Sequence, residues 1–202
     1  MISHTKKFIF VHINKTGGTS VERKLKEFQH RLPYRDKHQF LTAHIKGPRN
    51  SPSLLSECRE KPENYFKFTF VRNPWDKLVS NYFWRGSHLL QNKAWAKTSF
   101  KEWVMRKKGF NFKKCMARWN QVEWLCDKEG AIHVDFIGRF ERLQKDFNVI
   151  CTKLNIGPFK LPHVYKTRHK HYSTYYDDET KDFVSHYFKK DIETLNYKFE
   201  SK

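Results

Sequence analysis

The chain has 202 residues, and its 40 Lys and Arg against 21 Asp and Glu give a formal net charge of +19 at pH 7. This excess predicts an anionic substrate or partner, and the length suits a single domain, residues 1–202, with a substantial core. With 16% aromatic residues but only 8 Gly and 7 Pro, the composition excludes a disordered or low-complexity chain.

The sequence carries no targeting or metal signature. No run approaches the ~18 apolar residues of a membrane helix, and the apolar stretch at residues 8–11 is too short for a signal-peptide core. We therefore expect no membrane span and a cytoplasmic location. The cysteines form no CxxC pair, which argues against zinc and predicts reduced thiols. They are Cys58, Cys115, Cys126 and Cys151.

Apolar patterning in the first third of the chain predicts a strand, a turn and a helix. The strand covers residues 8–13, the turn residues 14–18 and the helix residues 19–29. Thr19 and Glu22 match a T-x-x-E capping box at the start of that helix. A proline-containing loop, residues 30–52, follows, and a short helix is then predicted at 53–59.

The middle of the chain predicts a second strand, at residues 65–71, running into a second helix. Asn73 fits the N-cap and Pro74 the first helical position, and this helix continues through Trp84. A capping box of Ser99 and Glu102 opens another helix to about residue 108. Residues 110–130 are predicted to be helical without clear boundaries.

The last third predicts a strand at 134–138, a helix at 141–154, a loop, and a final helix. Asp177 and Asp178 open the final helix, where acidic residues suit the positive end of the dipole. This alternation of strands and helices predicts an α/β fold with a mainly parallel sheet.

Residues 8–22 (FIFVHINKTGGTSVE) combine a strand, a glycine-containing turn and a helix. This order aims backbone N–H groups and a helix N-terminus at one spot, which predicts an anion site, and Gly17 and Gly18 allow close approach. The turn also supplies one charge and three hydroxyls, from Lys15, Thr16, Thr19 and Ser20. It is not a Walker A loop, because Lys15 precedes both glycines. The alternative is an ordinary turn in which Thr19 merely caps the helix.

A second motif, residues 65–82, places Arg72 at the end of a strand and Ser80 two turns into the next helix. The Arg72 guanidinium can bind a phosphate with two parallel hydrogen bonds, and the Ser80 hydroxyl can donate to the same anion. In the alternative reading Arg72 pairs with a structural carboxylate and Ser80 lies on the surface.

Together the two motifs resemble the nucleotide signatures of sulfotransferases that use 3′-phosphoadenosine 5′-phosphosulfate (PAPS), especially the carbohydrate group with the chondroitin and heparan sulfate enzymes. The matching segments are residues 12–20 (HINKTGGTS) and 72–80 (RNPWDKLVS). Residues 135–147 and 169–192 are similar to the family's third strand with its helix and to its C-terminal segment. Residues 85–130 match least. The resemblance implies a three-layer, P-loop-like fold with helices flanking the sheet.

The resemblance also implies a donor site. The loop from Lys15 to Ser20 would hold the 5′-phosphosulfate, with Lys15 at the bridging oxygen of the leaving phosphate. Arg72 and Ser80 would hold the 3′-phosphate. A basic segment would form a lid over the nucleotide, unless it is a solvated surface loop; its candidate contacts are Lys166, Thr167, Arg168 and His171. No carboxylate cluster suits Mg²⁺, so no metal is expected.

An acceptor hydroxyl needs a general base, and His44 is the first candidate. Relatives often place a catalytic histidine between the two signatures, where His44 lies; His38 lies in the same stretch, and an ordinary loop histidine is the alternative. Glu22 is the rival base, although it is also the third helical residue of the predicted capping box.

The expected reaction is sulfuryl transfer from PAPS to an acceptor hydroxyl by in-line displacement, leaving adenosine 3′,5′-bisphosphate (PAP). The acceptor is expected to be an anionic glycan or glycan precursor, with no specific nucleic acid. The alternative is a basic nucleic-acid-binding protein without activity, which fits the charge and the aromatic residues of 169–176. That alternative does not explain two phosphate motifs that each follow a strand. A P-loop kinase is disfavoured by the lysine position and the missing metal ligands.

Overall fold

The structure, a computed structural model, describes residues 1–30, 39–42, 53–88, 98–105, 120–164 and 169–201. The chain forms two compact units. We call Met1–Arg72 with Gln121–Val164 the sheet unit, and Asn73–Asn120 with Tyr165–Lys202 the helical unit. Whether the whole chain is the single domain expected above stays a prediction.

The sheet unit contains a four-stranded sheet in which three strands are parallel. The strands are β1 (Ile2–Ser3), β2 (Phe8–Val11), β3 (Phe66–Val71) and β4 (Phe136–Arg139), and they lie in the order β1-β2-β3-β4. β1 is antiparallel to β2, whereas β2, β3 and β4 run parallel. The predicted α/β class with a mainly parallel sheet is therefore confirmed. β1 was not predicted, because two residues are too short to show a period.

Six α-helices lie in the described residues, and they are numbered in chain order. They are α1 (Gly18–Leu25), α2 (Pro74–His88), α3 (Phe100–Val104), α4 (Leu143–Lys153), α5 (Asp178–Tyr187) and α6 (Lys189–Thr194). Short 3₁₀ turns occupy Lys26–Phe28, Leu54–Glu57, Pro62–Asn64, Val122–Trp124, Phe140–Arg142 and Tyr172–Tyr175. Within the part of the chain that the structure describes, no helix combines the length and the apolar character needed to cross a membrane.

The strand register places the functional loops at one edge of the sheet. Val11 pairs with Thr69, and Val71 pairs with Arg139, so the three parallel strands end within two residues of each other. The chain segments that follow the carboxyl ends of parallel strands meet at one edge, which is where α/β proteins bind ligands. The loop after β2, Arg72 after β3 and Phe140 after β4 all lie at this edge.

Aromatic side chains on one face of the sheet form the core with α1 and α4. Phe10 and Phe68 stack with ring centroids 5.2 Å apart, and both are completely buried. The core cluster continues through Val21 of α1 and Phe147 of α4. Residues facing the other side of the sheet, such as Ile9, are equally buried. A sheet covered on both faces explains why its strands are continuous apolar runs.

The helical unit confirms three of the predicted helix starts. Asn73 Oδ1 accepts hydrogen bonds from the N–H groups of Trp75 and Asp76, at 3.1 and 3.4 Å. Ser99 and Glu102 form both halves of a capping box on α3. Asp177 caps α5, although the predicted final helix is interrupted at Phe188 and continues as α6.

Several predicted boundaries are wrong. The expected capping box of Thr19 and Glu22 does not form, because α1 begins at Gly18 with Gly17 as its N-cap. The helix expected at residues 53–59 is the 3₁₀ turn Leu54–Glu57, and α1 is shorter than expected because it tightens into Lys26–Phe28. The helix expected at 141–154 begins as the 3₁₀ turn Phe140–Arg142. α3 ends at Val104, short of the expected residue 108. Of the expected helix at 110–130, residues 110–119 lie outside the described residues, and the only helical turn in residues 120–130 is the 3₁₀ turn Val122–Trp124.

Candidate active site

The loop between β2 and α1 is a tight turn held by its own side chains. Lys15 and Gly17 both have positive φ, 64° and 82°, so the chain reverses over three residues. Thr16 is completely buried, and its Oγ1 donates a 2.8 Å hydrogen bond to the Ile13 carbonyl. The Thr16 hydroxyl is therefore used inside the loop.

Packing as well as conformation requires glycine at the start of α1. A Cβ atom on Gly17 would lie 2.8 Å from Leu143 Cδ2, and one on Gly18 would lie 2.1 Å from His12 Cδ2. Real Cβ atoms do not approach carbon so closely, so the neighbouring side chains would have to move. The two glycines therefore let the loop pack directly against the segment that follows β4 and against the residue that follows β2.

The N-terminus of α1 has no side-chain cap. Gly17 is the N-cap and has no side chain that could accept from the first N–H groups, and the first turn contains no acidic residue. Main-chain N–H groups at such an end carry partial positive charge and bind anions readily. The backbone here is therefore suited to an anion held by Gly18 and Thr19.

Lys15 and Arg72 bring two cations to the same turn. Arg72 Nη1 donates a 3.1 Å hydrogen bond to the Lys15 carbonyl oxygen. Burial, with a smaller contribution from the Arg72 charge, lowers the pKa of the Lys15 ammonium to about 8. A lysine in this state gains most from a nearby negative charge, because an anion would offset both causes of the shift.

Arg72 is itself a buried cation, only 6% exposed. Its Cζ lies 3.9 Å from the centroid of the Phe140 ring, a stacked cation–π arrangement. Its main chain pairs with the Gln121 side chain. The end of β3 therefore presents a guanidinium whose position is set by the sheet unit itself.

His12 and Glu22 form a second polar pair beneath the loop. His12 Nδ1 lies 2.9 Å from Glu22 Oε1, and these side chains are only 3% and 16% exposed. The His12 ring stacks on Phe10, with centroids 5.7 Å apart and planes 16° apart. The pair links the end of β2 to the first turns of α1, so Glu22 has a neighbour that the capping-box prediction did not foresee.

The remaining predicted site residues divide into four groups. Thr19 and Ser20 lie in the first turn of α1, and Ser20 is 5% exposed. Ser80 lies on α2 in the helical unit and is 4% exposed. His171 caps a 3₁₀ turn, since its Nδ1 accepts from Ser173 N. Outside the described residues lie His38, His44, Lys166, Thr167 and Arg168.

Three residues around the site were missed from the sequence. His12 and Phe140 directly follow strands, so the strand pattern offered a signal once the register was known. Gln121 lies in the segment with the weakest predicted structure and offered none. Among the residues that the structure describes, no three His, Cys, Asp or Glu side chains gather as metal ligands.

Comparison with known proteins found a matching family and a human relative. The family model described as "Sulfotransferase family" matches residues 1–198. Human (Homo sapiens) carbohydrate sulfotransferase 14 is 27% identical over 121 residues, which cover 50% of this chain and 32% of that protein. The matched part thus spans about a third of the length of this relative. The similarity supports the carbohydrate group indicated by the two motifs.

Proposed function

Because the chain belongs to the sulfotransferase family, we propose that it moves a sulfuryl group from PAPS to the hydroxyl of a carbohydrate acceptor. The observation that carries the proposal is the uncapped N-terminus of α1, with Lys15 and the buried Arg72 beside it. A helix end and two cations on one turn favour an anionic ligand. The family indicates which anion.

The 5′-phosphosulfate end of the donor is assigned to the loop. The N–H groups of Gly17, Gly18 and Thr19 and the hydroxyls of Thr19 and Ser20 would hold its oxygens. Thr16 would contribute its main chain, since its hydroxyl already donates to Ile13. This assignment uses the α1 end whose N-cap residue, Gly17, has no side chain.

Lys15 is assigned to the leaving group. In the reaction a bond forms between the acceptor oxygen and sulfur, while the bond between sulfur and the bridging phosphate oxygen breaks. Lys15 would donate a hydrogen bond to that bridging oxygen as negative charge develops there. A pKa near 8 keeps Lys15 mostly protonated at pH 7 and makes its N–H a stronger donor than that of an ordinary lysine.

The 3′-phosphate is assigned to Arg72 and Ser80. This assignment rests on the resemblance of residues 72–80 to the second signature. Burial of the Arg72 guanidinium favours strong charge-assisted hydrogen bonds to a phosphate. The lid contacts from Lys166, Thr167 and Arg168 belong to the same proposal. No step of the proposed reaction requires a metal.

The acceptor hydroxyl is proposed to lose its proton to His44. The contact of the rival Glu22 with His12 supports this choice, since Glu22 Oε1 already lies 2.9 Å from the buried His12 Nδ1. We expect His44→Ala to lower turnover by at least ~100-fold while donor affinity is unchanged. Glu22→Gln, which can still accept from His12, should stay within a few-fold of wild type. Turnover falling with Glu22→Gln and surviving His44→Ala would assign the base to Glu22 instead.

An anionic glycan or glycan precursor is the proposed acceptor. The donor site accounts for only a few of the excess positive charges in a net charge of +19. The remaining charge can attract a polyanionic acceptor and raise its rate of association. The name of the human relative, a carbohydrate sulfotransferase, supports the same acceptor class. The cytoplasmic location also stays a proposal.

Packing in the helical unit weakens the alternative of a nucleic-acid-binding protein. That alternative uses the aromatic residues of 169–176 as platforms for bases. Tyr172 and Tyr176 instead pack edge-on against Phe199, with ring centroids 5.4 and 5.6 Å away. His169 stacks on Phe83 at 5.3 Å. These rings therefore pack against other aromatic side chains of the helical unit.

A transfer assay tests the proposed function. Isotopically labelled PAPS is incubated with the protein and a panel of acceptors: sulfated and unsulfated glycosaminoglycans, neutral oligosaccharides and small hydroxylated compounds. We expect label in at least one glycan and no transfer with Lys15→Ala. Absence of transfer to every acceptor, together with absence of donor binding, would contradict the proposal.

A further inference from the structure

Gln121 is a completely buried amide at the end of β3. Its Oε1 accepts a 2.8 Å hydrogen bond from the Arg72 main-chain N–H, and its Nε2 donates a 2.8 Å hydrogen bond to the Arg72 carbonyl. One side chain therefore pairs with both main-chain groups of Arg72. Side-chain amides are the groups that can do this, since they carry a donor and an acceptor side by side.

The sheet register shows why Arg72 needs this partner. β2 ends at Val11, opposite Thr69, and the ladder with β4 ends where Arg139 pairs with Val71. Arg72 follows Val71, so it lies three positions beyond the ladder with β2 and one position beyond the ladder with β4. There the Gln121 amide supplies the Arg72 main chain with the acceptor and the donor that a neighbouring strand would otherwise supply.

The Arg72 side chain is held separately from its main chain. Nη1 donates to the Lys15 carbonyl at 3.1 Å, and Cζ lies over the Phe140 ring at 3.9 Å. The direction in which the guanidinium leaves the strand depends on the main-chain path at Arg72. Gln121 fixes that path, and therefore the distance of the guanidinium from the loop that carries Lys15.

We propose that Gln121 is a positioning residue for donor binding, acting through Arg72 on the phosphate that Arg72 holds. The inference rests on the proposed function, because the phosphate is that of PAPS or PAP. Gln121 touches the main chain of Arg72, so its effect on affinity must pass through the Arg72 side chain. A residue that merely stabilises the fold would show no such dependence.

A double-mutant cycle tests this dependence. The variants Gln121→Glu, Arg72→Ala and the double variant are titrated with PAP by calorimetry at fixed salt and pH. An ionised Glu keeps the size of Gln but cannot donate to the Arg72 carbonyl. We expect Gln121→Glu to weaken PAP binding about tenfold when Arg72 is present and less than about twofold in the Arg72→Ala background.

Gln144 provides a matched control in the same unit. Its Oε1 accepts from Leu161 N at 2.8 Å and its Nε2 donates to the Phe159 carbonyl at 3.0 Å, so it also pairs with main-chain groups on both sides. Gln144→Glu should lower the melting temperature while PAP affinity stays unchanged. Gln121→Met, which removes the amide without adding a charge, replaces Gln121→Glu in the cycle if the latter does not fold.

The outcomes of the cycle distinguish the positioning role of Gln121 from the sulfotransferase proposal on which it rests. If wild-type protein binds PAP and the Gln121 variant weakens binding equally in both Arg72 backgrounds, the positioning role is overturned. The sulfotransferase proposal then still stands. Unchanged affinity in a folded Gln121 variant leads to the same two conclusions. Failure of wild-type protein to bind PAP overturns both.

Discussion

The first turns of α1 and α5 satisfy the same physical need in opposite ways. At α5, Asp177 accepts from Thr180 N at 2.9 Å, Thr180 Oγ1 accepts from Asp177 N at 3.0 Å, and Asp178 and Glu179 lie in the first turn. At α1, Gly17 provides no side-chain cap and the first turn carries no acid. Capping groups and acidic residues are worth more at an N-terminus than elsewhere in a helix. Only α5 uses them.

The charges around the two helix starts differ in the same sense. Lys101 Nζ lies 2.6 Å from Asp177 Oδ2, so a cation beside the start of α5 meets a carboxylate. At α1, Lys15 and Arg72 add positive charge to the positive end of the helix, and the pKa of Lys15 falls to about 8 as a consequence of burial and of Arg72. The comparison shows that α5 is complete as a structural element, whereas the start of α1 has the charge and the uncapped backbone that the proposed anion would need.

Removing the Lys15 side chain should have the largest effect. Lys15→Ala takes away the donor to the leaving oxygen, and losing one such donor lowers turnover by about 10²–10³-fold. Steady-state sulfate transfer from labelled PAPS measures the change. Stability should not fall, because the folded protein holds this ammonium at an unfavourable, buried position.

Lys24→Ala is the matched control for the Lys15 variant. Lys24 lies on α1, and its Nζ lies 5.7 Å from the Phe159 ring centroid. The Lys24→Ala substitution therefore removes an equal charge from the same unit. Its transfer rate should remain near that of wild type. Equal losses in the two variants would show that net charge, rather than the α1 start, governs the reaction.

Placing a methyl group at Gly18 should damage the α1 start through His12. The new Cβ would lie 2.1 Å from His12 Cδ2, and forcing an atom into such a site costs about 1–3 kcal/mol. We expect a lower melting temperature and weaker PAP binding, and partial recovery of both in the His12→Ala background. At Gly130 a Cβ atom would meet no atom within 4 Å, although the φ of 88° strains an alanine. Gly130→Ala should therefore lower the melting temperature but leave PAP affinity unchanged.

The lowered pKa of Lys15 predicts a pH-dependent affinity. PAP binding should weaken about tenfold between pH 7 and pH 9, because the free protein loses the Lys15 proton near pH 8. Stability should move the other way and rise from about pH 8 towards 10.5, since the unfolded chain keeps that proton longer. Lys15→Arg should flatten the affinity profile, because arginine stays charged throughout. An unchanged slope would assign the titration to another group.

The smallest effect on function is expected at the capped helix. Asp177→Ala removes the α5 cap and the contact with Lys101, so the melting temperature should fall. PAP affinity and transfer rate should not change, since α5 is not assigned to the ligand. Thermal unfolding and calorimetry on the same samples measure both quantities. A loss of affinity would place α5 in the binding machinery and remove the contrast with α1.

The sequence predicted the elements whose signals are local. Apolar runs identified β2 and β3, and side-chain caps identified the starts of α2, α3 and α5. The loop from Lys15 to Ser20 was predicted as an anion site from its glycines and its position after a strand. That site stays a prediction to be tested by ligand binding.

Features that depend on distant residues could not be predicted. Thr19 and Glu22 matched a capping box, but the turn needs positive φ at Gly17, so the helix starts one residue earlier and Glu22 meets His12 instead. Gln121 acts on Arg72 across 49 residues of sequence, and this pairing exists only once the β3 register is set. Phe140 faces Arg72 only because β4 lies beside β3.

Titration of the protein with PAP tests the central claim most directly. The measurement is isothermal calorimetry at 200 mM salt, on wild-type protein, Lys15→Ala, Arg72→Ala and Asp177→Ala. The account predicts saturable binding in the micromolar range for wild type and Asp177→Ala, and at least about tenfold weaker binding for the other two. Binding that collapses at this salt and extends to any polyanion, or equal affinity in all four proteins, would contradict it.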